Sequence, residues 1–277
     1  MSAPRDPRPG AFLAVDAGNS SVKVAVWDGA AWSETLRFPH DARGDVWAAR
    51  FGPLVARGTP SGIASVIPGA TAALAAAVEA ATGTAPTQVS VRLALPFDVA
   101  YATPDTLGAD RLAAAVAAWA LGGGRPVVAL DAGTALTLDA VDVRGGRALY
   151  LGGAIAPGPD LMTRSLARGT GALPDVTFDT GGPTCAIGDS THKAIRTGVA
   201  GMFAGGVAHL LAGTAAALSA PPFVVATGGW APWLVSNGLA VDALVPTLVL
   251  DGIRLLCDRS PPTAHRSTDA AAPPRRG

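Results

Sequence analysis

The sequence predicts an α/β protein made of two similar lobes that face one another across a cleft. Three observations carry that expectation. Strand-like and helix-like patterns alternate along the chain. A glycine-rich break, GGGRP at 122–126, divides the 277 residues into comparable halves. Each half opens on a strand, a tight turn and a second strand: FLAVDAGNSSVKVAVWDG at 12–29 and VVALDAGTALTLDAVDVRG at 127–145. Displaced by 115 positions, the second stretch sets Asp131 on Asp16, Ala132 on Ala17 and Gly133 on Gly18, and Ala14, Ala25 and Val26 also meet identical residues. Two unrelated hairpins would share the alternation of apolar and polar residues but not that register, so the pattern reads as a duplication.

Residues 1–10, MSAPRDPRPG, are polar and proline-rich, a tail without the apolar stretch of a secretory leader. The first lobe, 11–124, then alternates strands at 11–16, 22–28 and 31–37 with helices near 45–57 and 69–81. Between those helices lies the short apolar strand GIASVI, and a further strand-like stretch covers 88–93. The helix GADRLAAAVAAWAL closes the lobe, its alanines and leucines being strong helix formers. The second lobe, 125–258, restarts with strands at 126–131, 135–142 and 147–155. Helices follow near 158–168 and 190–217, then the strand FVVAT and a last helix near 246–257. The most apolar stretch, 199–220, is rich in Ala and Gly and interrupted by His209, so it reads as a packed helix rather than a membrane span. Residues 259–277 have the Pro, Ala and Arg content of a disordered tail.

With 49% hydrophobic residues the chain can bury a substantial core, and its 21 basic residues balance 21 acidic ones. That balance leaves no basic footprint for nucleic acid or an anionic membrane, and directs attention to small-molecule chemistry. Cys185 and Cys257 stand apart, and His40, His192, His209 and His265 form no pair at ligand spacing, which argues against structural zinc. The cysteines read as free thiols in a reducing, cytoplasmic compartment.

The two turns carry the chemistry. In each, an Asp ends the first strand and a Gly follows two residues later, allowing backbone N–H groups to approach a ligand as a concave anion site. Asn19, Ser20 and Ser21 add donors to the first turn, and Lys23 adds a point charge suited to phosphate. A carboxylate repels phosphate, so the sensible role of each Asp is to hold a cation beside it. Turn-favouring Asp and Asn would also suit an ordinary hairpin with a polar tip.

A third feature is YATPDTLGADRLAAAVAA at 101–118, which puts Asp110 and Arg111 at a helix N-terminus. An acid there complements the helix dipole, whereas a cation opposes it. Arg111 makes better sense with a ligand carboxylate lying across it. GGAIAPG at 152–158, STHKAIRTG at 190–198 and VVATGG at 224–229 are weaker signals: a close-approach strand end, a capped helix start and a glycine-terminated strand.

In order along the chain, DAGNSSVK, Y…GADR, DAGTALTLD, GGAIAPG, ALPDV, T…AI…G and TGG resemble the type III pantothenate kinases. That family belongs to the acetate-kinase, sugar-kinase, heat-shock-protein and actin superfamily of duplicated ribonuclease-H-like lobes flanking an interlobe cleft. The resemblance covers nearly all of 11–257 and implies ATP-dependent phosphorylation of pantothenate. It implies an ATP phosphate turn formed by Asp16, Ala17, Gly18, Asn19, Ser20, Ser21, Val22 and Lys23, with Thr134 contributing from the second turn. Asp131 would hold a monovalent cation, potassium or ammonium, and Mg²⁺ would accompany ATP. Tyr101, Gly108, Ala109, Asp110 and Arg111 would line the pantothenate site, with Asp110 as general base and Arg111 on the substrate carboxylate. Thr191 would reach pantothenate from a neighbouring protomer, making the active unit a homodimer with shared sites. Two positions depart from the family pattern: Ser20 stands where threonine is usual, and Trp230 follows TGG where a small acidic or amide residue is usual. Another kinase of the superfamily, or a non-catalytic protein binding ATP or pantothenate, would share parts of the same pattern.

Overall fold

Backbone pairing repeats one plan twice. In a computed structural model of the chain, residues 9–39, 44–179 and 186–259 are described. The first half runs β1 (Phe12–Ala17), β2 (Val22–Trp27), β3 (Leu36–Phe38), α1 (Gly44–Phe51), β4 (Ser61–Ser65), α2 (Pro68–Thr82), β5 (Thr87–Gln88), β6 (Asp98–Val99) and α3 (Ala109–Gly122). The second runs β7 (Val127–Ala132), β8 (Ala135–Arg144), β9 (Arg147–Pro157), α4 (Pro159–Gly169), α5 (Thr191–Ala216), β10 (Phe223–Thr227), α6 (Ala231–Ser236), β11 (Ala243–Leu244) and α7 (Leu248–Arg259). The first sheet has the order β3-β2-β1-β4-β5, and the second repeats it as β9-β8-β7-β10-β11, with β6 added beside β9. In both, the first three strands are antiparallel and the fourth pairs parallel with the first. This is the ribonuclease-H-like lobe, present twice.

Departures from the expected elements have local causes. The helix expected to reach residue 57 stops at Phe51, where Pro53 removes an N–H donor and a single 3₁₀ turn, Gly52–Leu54, follows. The strand expected over 31–37 shrinks to Leu36–Phe38 because the Asp28 carboxylate accepts the N–H groups of Ala30 and Ala31 and bends the chain. The stretch 88–93 pairs only at its start and then turns, the Leu93 N–H donating to the Ser90 carbonyl. Elements as short as β6, α6 and β11 show too little periodicity to announce themselves. The expected tails lie outside the described residues, apart from Pro9, Gly10 and Arg259, which ends α7. Of the two expected free thiols, Cys257 is buried and unpaired, and Cys185 lies outside the described residues.

The lobes are joined by exchange. α3, from the first half, packs on β7 and β8, while α7, from the end of the chain, packs on β1 and β4, and the two helices cross. Every residue of α3 from Leu112 to Ala118 is buried, so this helix is enclosed on all sides. The crossing is close because both helices are small-featured there: a Cβ at Gly252 would fall 1.9 Å from the Ala113 carbonyl oxygen. The first hairpin grips α7 from outside, Trp32 Nε1 donating to Asp251 (2.8 Å) and the Arg254 guanidinium lying 4.6 Å from the Trp27 ring centre.

α5 is long and apolar enough to cross a membrane by length and composition. Its Ile195, Val199, Phe203 and Val207, one residue in four, are instead buried in the second lobe's core with Leu136 and Leu138 of β8. The helix thus has one packed stripe and an opposite face of small exposed residues.

Helix propensity favours Ala over Gly by about 1 kcal/mol. At Gly252 the clash with the α3 backbone outweighs that gain, so Gly252→Ala is expected to cost about 1–3 kcal/mol net. Urea denaturation of the two proteins measures it, and an unchanged or raised midpoint would show that the helices can move apart freely.

Candidate active site

Register builds the first half of the site. Asp16 and Lys23 are cross-strand partners in the β1–β2 hairpin, and Lys23 Nζ lies 3.0 Å from Asp16 Oδ2. The Asp16 charge is the main cause of a raised Lys23 pKa, opposed by burial and reinforced by Asp131. The turn is closed by the Gly18 N–H donating to the Ser21 carbonyl (3.1 Å), which leaves Asn19 and Ser20 exposed at its tip.

The second hairpin is one residue shorter. Asp16 pairs with the residue seven positions on, but Asp131 pairs with Thr137, six positions on. The displacement of 115 therefore holds for the first strand only, and 114 applies beyond the turn. The sequence matches of Ala25 with Ala140 and Val26 with Val141 are not structural equivalences: Ala25, partner of Ala14, corresponds to Asp139, partner of Ala129. Thr137 stands opposite Asp131 where Lys23 stands opposite Asp16, so Asp131 has no cation as its cross-strand partner. Its Oδ1 is buried and has no hydrogen-bond partner. Gly228, at φ +93°, leaves the space beside it, since a Cβ there would lie 2.4 Å from that oxygen. Burial pushes the Asp131 carboxyl up to about 6; Lys23 opposes the shift, and Asp16, Asp110 and Asp139 add to it.

The two turns meet across the cleft, Ser20 Oγ and Thr134 Oγ1 standing 2.7 Å apart. α3 begins beside them. Gly108 at its N-cap has no side chain to offer, and Asp110 Oδ1 accepts the Arg111 N–H (2.8 Å). Burial raises the Asp110 pKa, with the Asp16 charge adding to the effect and the hydrogen bond from Arg111 opposing it. Asp16, Asp110 and Asp131 all line one cleft, together with Lys23, Arg111 and the tips of both turns.

Arg111 has a partner that the sequence reading did not anticipate. Its guanidinium does not await a ligand for charge balance: Asp139, from β8, already lies across it. Nε donates to Asp139 Oδ1 at 3.0 Å, Nη2 makes an ion-pair contact with that oxygen at 2.8 Å, and the Tyr150 hydroxyl donates to it at 2.6 Å. Burial opposes the Arg111 charge, but Asp139 outweighs it and the pKa is raised. Burial likewise pushes Asp139 up to about 6, against the pull of Arg111. Sequence reasoning missed both Asp139 and Tyr150. A signal existed, because β8 reads ALTLDAVDVR and carries two acids, Asp139 and Asp142, in a strand that is otherwise mostly apolar.

The cleft gathers Asp16, Gly18, Asn19, Ser20, Ser21, Lys23, Asp110, Arg111, Asp131 and Thr134 from the expected set, and adds Gly133, Ala135, Thr137 and Ala114. Ala17 and Val22 do not bring side chains to it, both being buried in the first lobe's core. Gly108 and Ala109 form the start of α3 behind Asp110, and Tyr101 stands behind Arg111, its ring centre 6.0 Å from the guanidinium carbon. Thr191 lines a different groove of this chain, at the start of α5 with Leu166 and Met202. Trp230 packs edge-on against Phe178 (5.1 Å between ring centres) in the second core and is not part of the cleft lining. Among the described residues no three His, Cys, Asp or Glu side chains gather into a metal cage. A cation at Asp131 would therefore share its coordination with backbone, water or phosphate oxygens.

A family profile described as type III pantothenate kinase matches residues 12–213. The chain belongs to the type III pantothenate kinase family. It is 36% identical over 265 residues to the type III pantothenate kinase of Gluconobacter oxydans, covering 92% of this chain and 96% of that one. To that of Acidiphilium cryptum it is 35% identical over 269 residues, covering 93% and 98%. To that of Chlorobaculum parvum it is 36% identical over 256 residues, covering 88% and 93%. The likeness to these pantothenate kinases thus spans both lobes and the cleft between them.

The orphaned Asp131 carboxylate has a consequence for stability. Its pKa is raised on folding, so folding favours the protonated form, and this contribution is lost as pH rises from the ordinary carboxylate range through about 6. Asp131→Asn is therefore expected to stabilise the ligand-free protein by on the order of 2 kcal/mol near pH 8 and by little near pH 4. Denaturation midpoints at both pH values, in a buffer of bulky organic cations, read the difference; an equal change at both would separate the effect from ionisation.

Proposed function

We propose that the cleft transfers the γ-phosphoryl group of ATP to the primary hydroxyl of pantothenate, giving 4′-phosphopantothenate, the first step toward coenzyme A. Pantothenate phosphorylation is the activity for which the chain's family is named. One observation supports the reading above all: the Asp16–Lys23 turn, the Asp131 turn and Asp110 at the start of α3 open on one cleft. The lobes, 11–124 and 125–258, would act as its two jaws.

The first turn's amides, Ser20 and Lys23 would hold the ATP phosphates, with Thr134 reaching them from the other side. Asp110 would accept the hydroxyl proton as the acceptor oxygen attacks in line, and Arg111 would face the pantothenate carboxylate. Charge balance supports cation binding here. Asp16, Asp110 and Asp131 line the cleft with Lys23 and Arg111, and Asp139 is buried against Arg111, so acids outnumber bases before a polyphosphate enters. Mg²⁺ bound with ATP, and potassium or ammonium, would supply the missing positive charge. Asp131 Oδ1, buried and unpartnered beside Gly228, is a fitting ligand for the monovalent ion.

The homodimer rests on two features. Thr191 is exposed at the start of α5 and away from its own chain's cleft. The outer face of α5 presents Gly198, Gly201, Met202 and Gly205, with Met202 72% exposed, a surface on which a second copy could pack closely. A soluble metabolic kinase of this kind would work in the cytoplasm.

Asp110→Asn keeps the shape and removes the base. We expect kcat to fall about a hundredfold or more with little change in pantothenate KM, measured as ADP release dependent on pantothenate; unchanged turnover would exclude the assignment. Because the Asp110 pKa is raised, the acidic limb of kcat/KM should lie above the range of an ordinary aspartate, activity being lost as pH falls through it. Omitting potassium and ammonium should depress turnover of the unsubstituted chain and have no further effect on Asp131→Asn. Inactive Asp110→Asn and Thr191→Ala chains, mixed, should recover activity if sites are shared. Met202→Glu should yield monomers by sedimentation.

A further inference from the structure

Asp139 is fully buried, and a single one of its oxygens receives hydrogen bonds from Arg111 Nε and the Tyr150 hydroxyl and an ion-pair contact from Arg111 Nη2. Tyr150 is itself fully buried and is wedged between Phe97 and Tyr101, at 6.0 Å from each ring centre. Its hydroxyl is therefore held in place by packing from both sides. The other Asp139 oxygen has no partner. Arg111 also lines the cleft, so its guanidinium is anchored along one edge while belonging to the acceptor site. Asp110 is the adjacent residue, and its carboxylate is close enough to Arg111 to accept that residue's backbone N–H. An unanchored guanidinium would have two competing carboxylates to choose from, the acceptor's and that of Asp110.

We propose that Asp139, braced by Tyr150, is a positioning residue for acceptor recognition: it fixes the Arg111 guanidinium so that its remaining N–H groups face the substrate carboxylate and stay off Asp110. The inference rests on the reading of the cleft as a pantothenate site. The Nε donor is bonded to Asp139 and Nη2 is held against the same oxygen, so that edge of the planar fork is fixed and its orientation is set for the rest. Enclosure in a low-dielectric interior strengthens the hold. A purely structural Asp139 would only neutralise a buried cation, and its loss would affect every acceptor alike.

The test compares two acceptors. One is pantothenate; the other is its neutral analogue, in which a hydroxymethyl group replaces the carboxylate and the phosphorylated hydroxyl is retained. For Asp139→Asn, KM for pantothenate should rise about tenfold or more, the scale of a hydrogen bond to a charged group, while kcat/KM for the neutral analogue stays within about twofold. Tyr150→Phe keeps the ring and removes only the brace, so the same pattern should appear at a few-fold. Should Asp139→Asn fail to fold, Tyr150→Phe carries the comparison alone. Equal losses with both acceptors, or no loss with either, would overturn the positioning role. If the unsubstituted chain phosphorylates neither acceptor, the reading of the cleft itself fails, a result distinct from the loss of discrimination.

Discussion

The crossing of α3 over α7 is the constraint on which the rest of the molecule depends. Each helix packs on the sheet of the opposite half, so the two lobes cannot separate without stripping both. The contact is backbone to backbone at Ala113 and Gly252, with no room for a side chain between them. A run of buried alanines is the price of that closeness: it contributes less apolar area than leucines would, but lets the helices approach. The position of α3 then decides the chemistry, because its first turn carries Asp110 and Arg111 into the gap between the hairpin turns.

The duplication matters most where it fails. Two hairpins of the same plan differ by one residue in the turn, and the register places Lys23 against Asp16 but Thr137 against Asp131. One carboxylate is neutralised within the chain, and the other is left buried with an unpartnered oxygen. A buried charge without a partner is costly. Such a cost is tolerated where a ligand answers it. Asp139 aligns with Ala25 of the first lobe, so the acid beside Arg111 has no counterpart across the pseudo-repeat.

Charge in the cleft is thus arranged in layers. Lys23 and the two turns line one side, Asp110 stands at the start of the helix between them, and Arg111 is tied back to Asp139, which Tyr150 also holds. Burial raises the carboxyl groups of Asp110, Asp131 and Asp139; Asp16 adds to the shift at Asp110, while Asp16, Asp110 and Asp139 add to that at Asp131, and Asp110 to that at Asp139. An anionic ligand entering this set of carboxylates would need cations with it.

Much of this was legible in the residues themselves. The hairpins, the long helices and the Asp-Ala-Gly turns follow from alternation, propensity and turn chemistry, which act over a few neighbouring residues and so survive in a linear reading. Asp16, Lys23, Asp110 and Asp131 could be singled out because their types are unusual at such turns and helix starts. The partners of Arg111 could not, since Asp139 and Tyr150 are brought to it by the pairing of β8 with β9 and the packing of α3 on β8. Nor could the offset of the second hairpin, because a one-residue change in a turn alters which side chains face each other without altering the apolar pattern. Local sequence determined the elements and the reactive groups. Tertiary packing decided which charges are neutralised inside the chain and which are left for a ligand, because that depends on contacts between residues far apart along it.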